Sequence, residues 1–169
     1  MKRWFVNSTV LLLLMSSVSA FAQGRVGYVA FNEVVQLMPE TKTIQLQMDA
    51  YSKQWTEQLE TINNDYTKKL KEYQAGEKTM TDAIRTTKQT ELQGIQKRFT
   101  DLNTQAQQAV EAKSAELTKP LIDKVHVAVK AVAKEKGYAY IINSSETELL
   151  VFPDADNIMA AVKAKLGLK

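Results

Sequence analysis

Residues 48–73 read MDAYSKQWTEQLETINNDYTKKLKEY. The large apolar side chains are Met48, Tyr51, Trp55, Leu59, Ile62, Tyr66, Leu70 and Tyr73, separated by steps of 3, 4, 4, 3, 4, 4 and 3. Steps of three and four put side chains on one face of an α-helix. The pattern repeats every eleven residues, and Ile44 extends it one step backwards. Eleven residues in three turns is about 3.67 per turn, so helices of this kind pack nearly straight or with a weak right-handed twist. The segment reads as a long helix with one thin apolar seam. It runs from Pro39, which suits a first helical position, to about Gln74.

The stretch Gln74–Thr79 interrupts this helix, and Gly76 is expected to end it in the left-handed conformation. Thr81 or Asp82 is suited to cap a second helix that reaches Lys136, with Lys134 and Lys136 at its C-terminus and Gly137 as its stop. Ile84, Ile95, Ala106, Leu117 and Ala128 carry the same eleven-residue step. Pro120 lies inside this helix, where a missing N–H predicts a kink near the point at which arm meets body. Folding the chain about residues 77–78 predicts an antiparallel two-helix arm. That register sets Trp55 against Phe99, Tyr73 and Leu70 against Ile84, Ile62 and Leu59 against Ile95, and Ile44 against Val110.

The aromatic stripe reads first as the core of this arm. Two helices cover a seam only in part, and Tyr and Trp tolerate partial exposure. Tyr51, Trp55, Tyr66, Tyr73, Ile84 and Phe99 are therefore the candidate contacts for something held beside the arm. Between Thr41 and Lys113 there are eleven Lys or Arg and ten Asp or Glu, with abundant Gln and Thr, so the outer face is polar and mixed in sign. Gly94, in the middle of the second arm helix, costs ~1 kcal/mol against alanine and reads as a soft point.

The ends of the chain differ from the arm. Lys2 and Arg3, the apolar core Val10–Met15 and the small residues of Ala20-Phe21-Ala22 form the three-part pattern of a secretory signal peptide, with cleavage expected between Ala22 and Gln23. Lys2 and Arg3 leave with it, so the mature chain carries 20 basic against 19 acidic residues, a net of +1. A nucleic-acid partner predicted from the basic pI thereby loses most of its support. There is no cysteine, which excludes disulfides and cysteine-built zinc sites. The single histidine, His126, has no recognisable catalytic partners and reads as a packing or surface residue.

RVGYVAF (25–31), YAYIIN (138–143) and TELLVF (147–152) read as three short strands, the last two around a Ser144-Ser145-Glu146 turn closed by Pro153. Asn32 is suited to cap a short helix NEVVQLM, and Asp154 or Asp156 a final helix NIMAAVKAKL. Three strands leave two open edges, and a small body without disulfides is not expected to be stable alone. Closure between subunits solves both problems, with Val26, Tyr28, Tyr140, Ile142, Leu150 and Phe152 as candidates for the shared core. The fold class is α+β and mostly helical. Residues 1–22 form a leader, 23–38 with 115–169 a β body for oligomerisation, and 39–114 a helical-hairpin arm.

The opening RVGYVAFNEVV, the PET step into a helical hairpin, and the ending PLIDKVHVAVKAVAKEKGYAYIINSSETELLVFPDADNIMAAV resemble the Skp/OmpH (HlpA-like) family of periplasmic chaperones across essentially the whole mature chain. The resemblance implies a jellyfish-like homotrimer with an intersubunit β-barrel and three arms around a cavity. It implies an ATP-independent holdase that keeps unfolded outer-membrane proteins soluble in the periplasm, without cofactor or catalytic residues. Some members carry strongly basic arms associated with lipopolysaccharide or anionic membrane. This chain departs from that pattern, with only Lys68-Lys69-Lys71 and Lys97-Arg98 approaching a cluster, so a lipopolysaccharide site is not carried over. The alternative is a structural coiled-coil spacer or scaffold of the cell envelope. No phosphate loop, HExxH, GxSxG or cysteine nucleophile supports an enzyme.

Overall fold

A computed structural model of the chain describes residues 24–147 and 150–168. The expected leader, with Ala22 and Gln23, lies outside the described residues. The elements in chain order are strand β1 (Arg25–Val29), helix α1 (Phe31–Leu37), helix α2 (Pro39–Gly76), a 3₁₀ turn (Glu77–Thr79), helix α3 (Asp82–Lys136), strand β2 (Tyr138–Asn143), a second 3₁₀ turn (Asp154–Asp156) and helix α4 (Met159–Lys165). They fall into two compact units. One comprises Met38–Ile122; the other joins the segments up to Leu37 and from Asp123 onwards.

In the second of these units β1 and β2 pair in parallel, with Val26 opposite Tyr140, Gly27 opposite Ile141, Tyr28 opposite Ile142 and Val29 opposite Asn143. Parallel pairing needs a crossover connection, and here the whole of α1, α2 and α3 lies between the strands in sequence. Tyr28, Val29, Val34, Val125, Ala128, Val132, Tyr138, Ile158 and Val162 are buried as the core of this unit. Gly137, at φ +72°, ends α3, a conformation that L side chains rarely adopt.

Three expectations for this unit are corrected. The strand over 147–152 is absent among its described residues: Thr147, Leu150 and Val151 form bends, while Glu148 and Leu149 lie outside the description. A strand requires a ladder partner for its N–H and C=O groups, and the other side of β1 is instead bridged by Asn157, with the Ile158 N–H donating to the Tyr28 carbonyl at 3.0 Å. Asn32 does not cap α1. The helix starts one residue earlier; Asn143 Oδ1 accepts from the Phe31 N–H at 3.2 Å, and Ser145 Oγ from the Asn32 N–H at 3.1 Å. Neither Asp154 nor Asp156 caps α4. Asn157 Oδ1 accepts from the Met159 N–H at 2.9 Å, and Asp156 is engaged elsewhere.

The other unit is the helical hairpin. Met38 precedes α2 and Pro39 sits at its first turn. Thr81 is the cap of α3: its carbonyl accepts from the Arg85 N–H at 2.9 Å and its hydroxyl from the Ile84 N–H at 3.4 Å. Gly76 is not left-handed. It stays right-handed, at φ −99° and ψ −7°, and the chain continues through the 3₁₀ turn to Thr79. A Cβ at position 76 would come within 2.8 Å of the Met80 side chain, so the residue gives room for Met80. Pro120 does not interrupt α3, which is helical throughout Asp82–Lys136.

Eight threonines of the hairpin turn their hydroxyls onto their own helix. Thr56, Thr61, Thr67, Thr87, Thr90, Thr100, Thr104 and Thr118 each donate to the carbonyl four residues earlier, at 2.7 to 3.1 Å. Among the described residues no helix is long and apolar enough to cross a membrane.

Candidate functional site

The hairpin seam is the first candidate surface. Four polar contacts fix its register. The Gln89 side-chain amide donates to the Tyr73 hydroxyl at 2.9 Å, and that of Gln96 to the Tyr66 hydroxyl at 2.9 Å. Lys69 pairs with Glu91, and Arg98 approaches Asp65 at 3.6 Å. The hydrogen bond between Lys69 and Glu91 is the main cause that holds the Glu91 carboxyl below the usual carboxylate range and the Lys69 ammonium above its own.

This register corrects the one read from the sequence by about seven positions. The right-handed Gly76 and the 3₁₀ turn carry the chain further before it reverses, so the fold point lies near residue 81 and not at 77–78. Trp55 consequently lies with Ala106 and Val110, not with Phe99, which lies with Ile62, Tyr66 and Ile95. The shared groove of Ile62 with Ile95 survives the shift. By this register Ile84 falls level with Lys78 in the turn, and it stays 49% exposed.

The aromatic stripe is unevenly covered. Tyr73 is buried and its hydroxyl also donates to Glu77 at 3.1 Å. Tyr51, Trp55 and Tyr66 are half-buried, and the Tyr51 and Trp55 rings meet edge to face at 6.3 Å between centroids. Phe99 is partly exposed. Two open grooves run along the seam. One lies beside Met48, Ser52, Trp55, Ala106 and Val110, where small side chains leave the Trp55 edge uncovered. The other lies among Ile62, Tyr66, Ile95 and Phe99. Both present apolar floors with polar rims and no convergent catalytic groups.

The second candidate surface is on the strand unit. Of the six residues read as a shared core, Tyr28 is buried and Ile142 half-buried, while Val26, Tyr140, Leu150 and Phe152 are exposed. Tyr140 is 69% and Leu150 86% exposed, with Val151 beside it at 93%. Phe152 meets Tyr28 edge to face at 4.6 Å. The His126 ring lies against Phe31, tilted by 46° with 4.7 Å between ring centres.

A cluster not anticipated from the sequence ties both chain ends of this unit together. The Arg25 guanidinium donates to Asp156 Oδ1 at 3.0 Å, to the Tyr138 hydroxyl at 3.0 Å and to the Lys136 carbonyl at 3.2 Å, and lies 4.4 Å from the centre of the Tyr138 ring. Tyr138 in turn donates to Asp156 at 3.1 Å. Burial, then the bond to Asp156, raises the Tyr138 hydroxyl above its ordinary range; Arg25 opposes this. The only sequence signals were the charge at a strand start and the tyrosine after a helix-ending glycine.

The family of OmpH-like outer membrane proteins matches residues 25–166. The protein named "Chaperone protein Skp" of Pectobacterium atrosepticum is 23% identical over 86% of this chain and 88% of its own. The protein of the same name in Yersinia enterocolitica is also 23% identical over the same shares. In structure, the chain is similar to an OmpH-like outer membrane chaperone of Caulobacter crescentus, at a TM-score of 0.65 and 16% identity, over 86% of this chain and 85% of that one.

Proposed function

Because the chain belongs to the OmpH-like outer membrane protein family, we propose that it is a non-enzymatic chaperone of the periplasm, a holdase that binds unfolded outer-membrane proteins without nucleotide. The observation that carries this reading is the half-covered seam of the hairpin. Its grooves beside Trp55 and Phe99 give many shallow apolar contacts and no deep pocket. A holdase needs that distribution, since several weak contacts add up to retention while each releases easily. The clients suit it as well: the strands of outer-membrane barrels alternate apolar and polar residues, so their unfolded chains match a mixed surface.

The same reading makes the working unit a homotrimer. Val26, Tyr140, Leu150, Val151 and Phe152 form an apolar surface that a single chain leaves in water, next to a sheet of only two strands among the described residues. Burying such residues against copies of the chain stabilises by about 25 cal/mol for each Å² removed from water. The leader accounts for export, with the cut between Ala22 and Gln23.

Dilution of a urea-unfolded outer-membrane barrel protein into buffer with residues 23–169 tests the reading by light scattering. Suppression at near-stoichiometric trimer without nucleotide supports it. Unchanged aggregation in the presence of folded, oligomeric protein refutes it for that client class and favours an envelope spacer.

A further inference from the structure

The two grooves of the hairpin are one arrangement met twice. Trp55 and Ala106 line the first; eleven positions along each helix towards the tip, Tyr66 and Ile95 line the second. Val110 and Glu111 of the first correspond in the same way to Phe99 and Thr100 of the second. Eleven residues make three turns and about 20° of a relaxed helix, so equivalent side chains return to nearly the same face. They return about 16 Å further along the axis.

A third repeat lies at the tip, and there the protein fills the place itself. Tyr73 stands where Ile62 stands in the second groove, and Gln89 where Thr100 stands. Tyr73 is buried; its hydroxyl accepts from the Gln89 amide at 2.9 Å and donates to Glu77 at 3.1 Å. The ring thus bridges the seam from α2 to α3. In the second groove Ile62 has no polar atom to make that bridge, and Thr100 turns its hydroxyl to the Gln96 carbonyl at 3.1 Å. The space between them stays open. In the first groove Tyr51 holds the position of Tyr73, but its ring meets Trp55 edge to face instead. Glu111 holds the position of Gln89. It is exposed and forms no ion pair among the described residues, so its carboxylate is free to accept a hydroxyl proton, as Glu77 does from Tyr73.

We propose that each groove takes an aromatic ring, best a tyrosine, and that the pair holds one chain by two such rings about 16 Å apart. This rests on the holdase reading above and specifies its client: the segment held is a barrel strand with an aromatic residue near each end. Strands of outer-membrane barrels run about ten residues and carry aromatic girdles at both membrane interfaces. A flexible chain has a root-mean-square span of about 5–6 Å × √n, which reaches about 16 Å at nine residues. Two rings two positions apart span at most about 7 Å and cannot fill both grooves. Once the first ring is seated, the second contact is intramolecular, which raises retention without a deep pocket.

Trp55 is the only tryptophan of residues 23–169, so its fluorescence reports the first groove directly. The protein, residues 23–169, is titrated with Gly/Ser peptides of about twelve residues. They carry one tyrosine, two tyrosines about nine positions apart, or two tyrosines two positions apart. The widely spaced peptide is expected to bind at least tenfold more tightly than the other two. Ile62→Tyr with Thr100→Gln rebuilds the tip arrangement in the second groove and so closes it. There the widely spaced peptide is expected to fall to the affinity of the single-tyrosine peptide, which itself stays unchanged. Equal affinity of the three peptides for the parent protein overturns the proposal, whatever the variant does. A folded variant that keeps the tenfold advantage also overturns it. Light scattering with an unfolded barrel protein separates the two readings. If the parent protein suppresses aggregation while the peptides bind alike, the paired grooves fail and the holdase stands. If aggregation is unchanged, the holdase reading fails, and the barrel strand falls with it as the occupant.

Discussion

The Tyr66 hydroxyl and the Gln96 side-chain amide lie 30 positions apart in sequence and 2.9 Å apart across the hairpin. The numbers of this pair add to 162, as do those of Tyr73 and Gln89 about two turns nearer the tip, so two bonds report one register. A double-mutant cycle of Tyr66→Phe with Gln96→Ala is expected to show coupling of about 0.5–1.5 kcal/mol, the net worth of a hydrogen bond. A cycle of Trp55→Ala with Phe99→Ala is expected to be additive within about 0.5 kcal/mol, because those residues lie in separate grooves. Urea midpoints measure both.

The Lys69–Glu91 pair predicts a pH profile for the hairpin. Glu91 has its pKa lowered by folding, so its contribution is present above the unfolded value near 4.3 and is lost as pH falls through the lower folded value. Lys69 has its pKa raised, so its contribution is present below the unfolded value near 10.4 and is lost as pH rises through the higher folded value. Stability is expected to be level between these limits with respect to this pair. Glu91→Gln is expected to flatten the acid limb, as followed by urea midpoints at a series of pH values.

Tyr138 is expected to ionise above the ordinary tyrosine range when the protein is folded. A hydroxyl that keeps its proton longer in the folded chain loses stability as pH rises past the unfolded value near 10. Arg25→Ala removes a cation that favours the phenolate, so it is expected to move the titration further upward. Ultraviolet titration of tyrosinate, with a Tyr138→Phe control to assign the signal, checks the direction.

Gly94 lies mid-helix with nothing within 4 Å of an added Cβ and an ordinary helical backbone. Gly94→Ala is expected to stabilise the hairpin by about 0.5–1 kcal/mol, through the loss of glycine's freedom in the unfolded chain. An unchanged urea midpoint would mean that the position is not helical in solution.

Tyr140→Glu and Leu150→Asp each place a charge on the exposed apolar surface of the strand unit. In a single chain both changes are nearly neutral, since the side chains are already in water. In a homotrimer they bury unpaired charge, and dissociation to monomer is expected at concentrations where the parent chain remains trimeric. Sedimentation velocity distinguishes the two.

How much was legible follows from the reach of each signal. The long helices were legible because steps of three and four are local, and Gly137 was legible as a stop because a left-handed residue after a helix is a local need. The register was not. It depended on whether Gly76 turned left-handed or let the chain run on to Thr79, a choice that the room taken by Met80 influences and periodicity does not record. The strand read at 147–152 failed because β propensity describes a fit to a neighbour, and in the single chain β1 is bridged by Asn157 instead. The caps Asn143 and Ser145 escaped notice because they reach α1 from more than a hundred residues away. At the candidate surfaces the aromatic residues were legible as a stripe. Their individual covering, from buried Tyr73 to exposed Ile84, was set by the register and could be read only with it.

The threonine hydroxyls have a mechanical consequence. Each carbonyl that accepts a threonine proton in addition to its helical N–H is drawn outward, and the turn around it flexes more readily. Eight such sites are spread along the two helices of the hairpin, all without breaking a bond between them. Compliance is thereby distributed along the rod instead of residing at one joint.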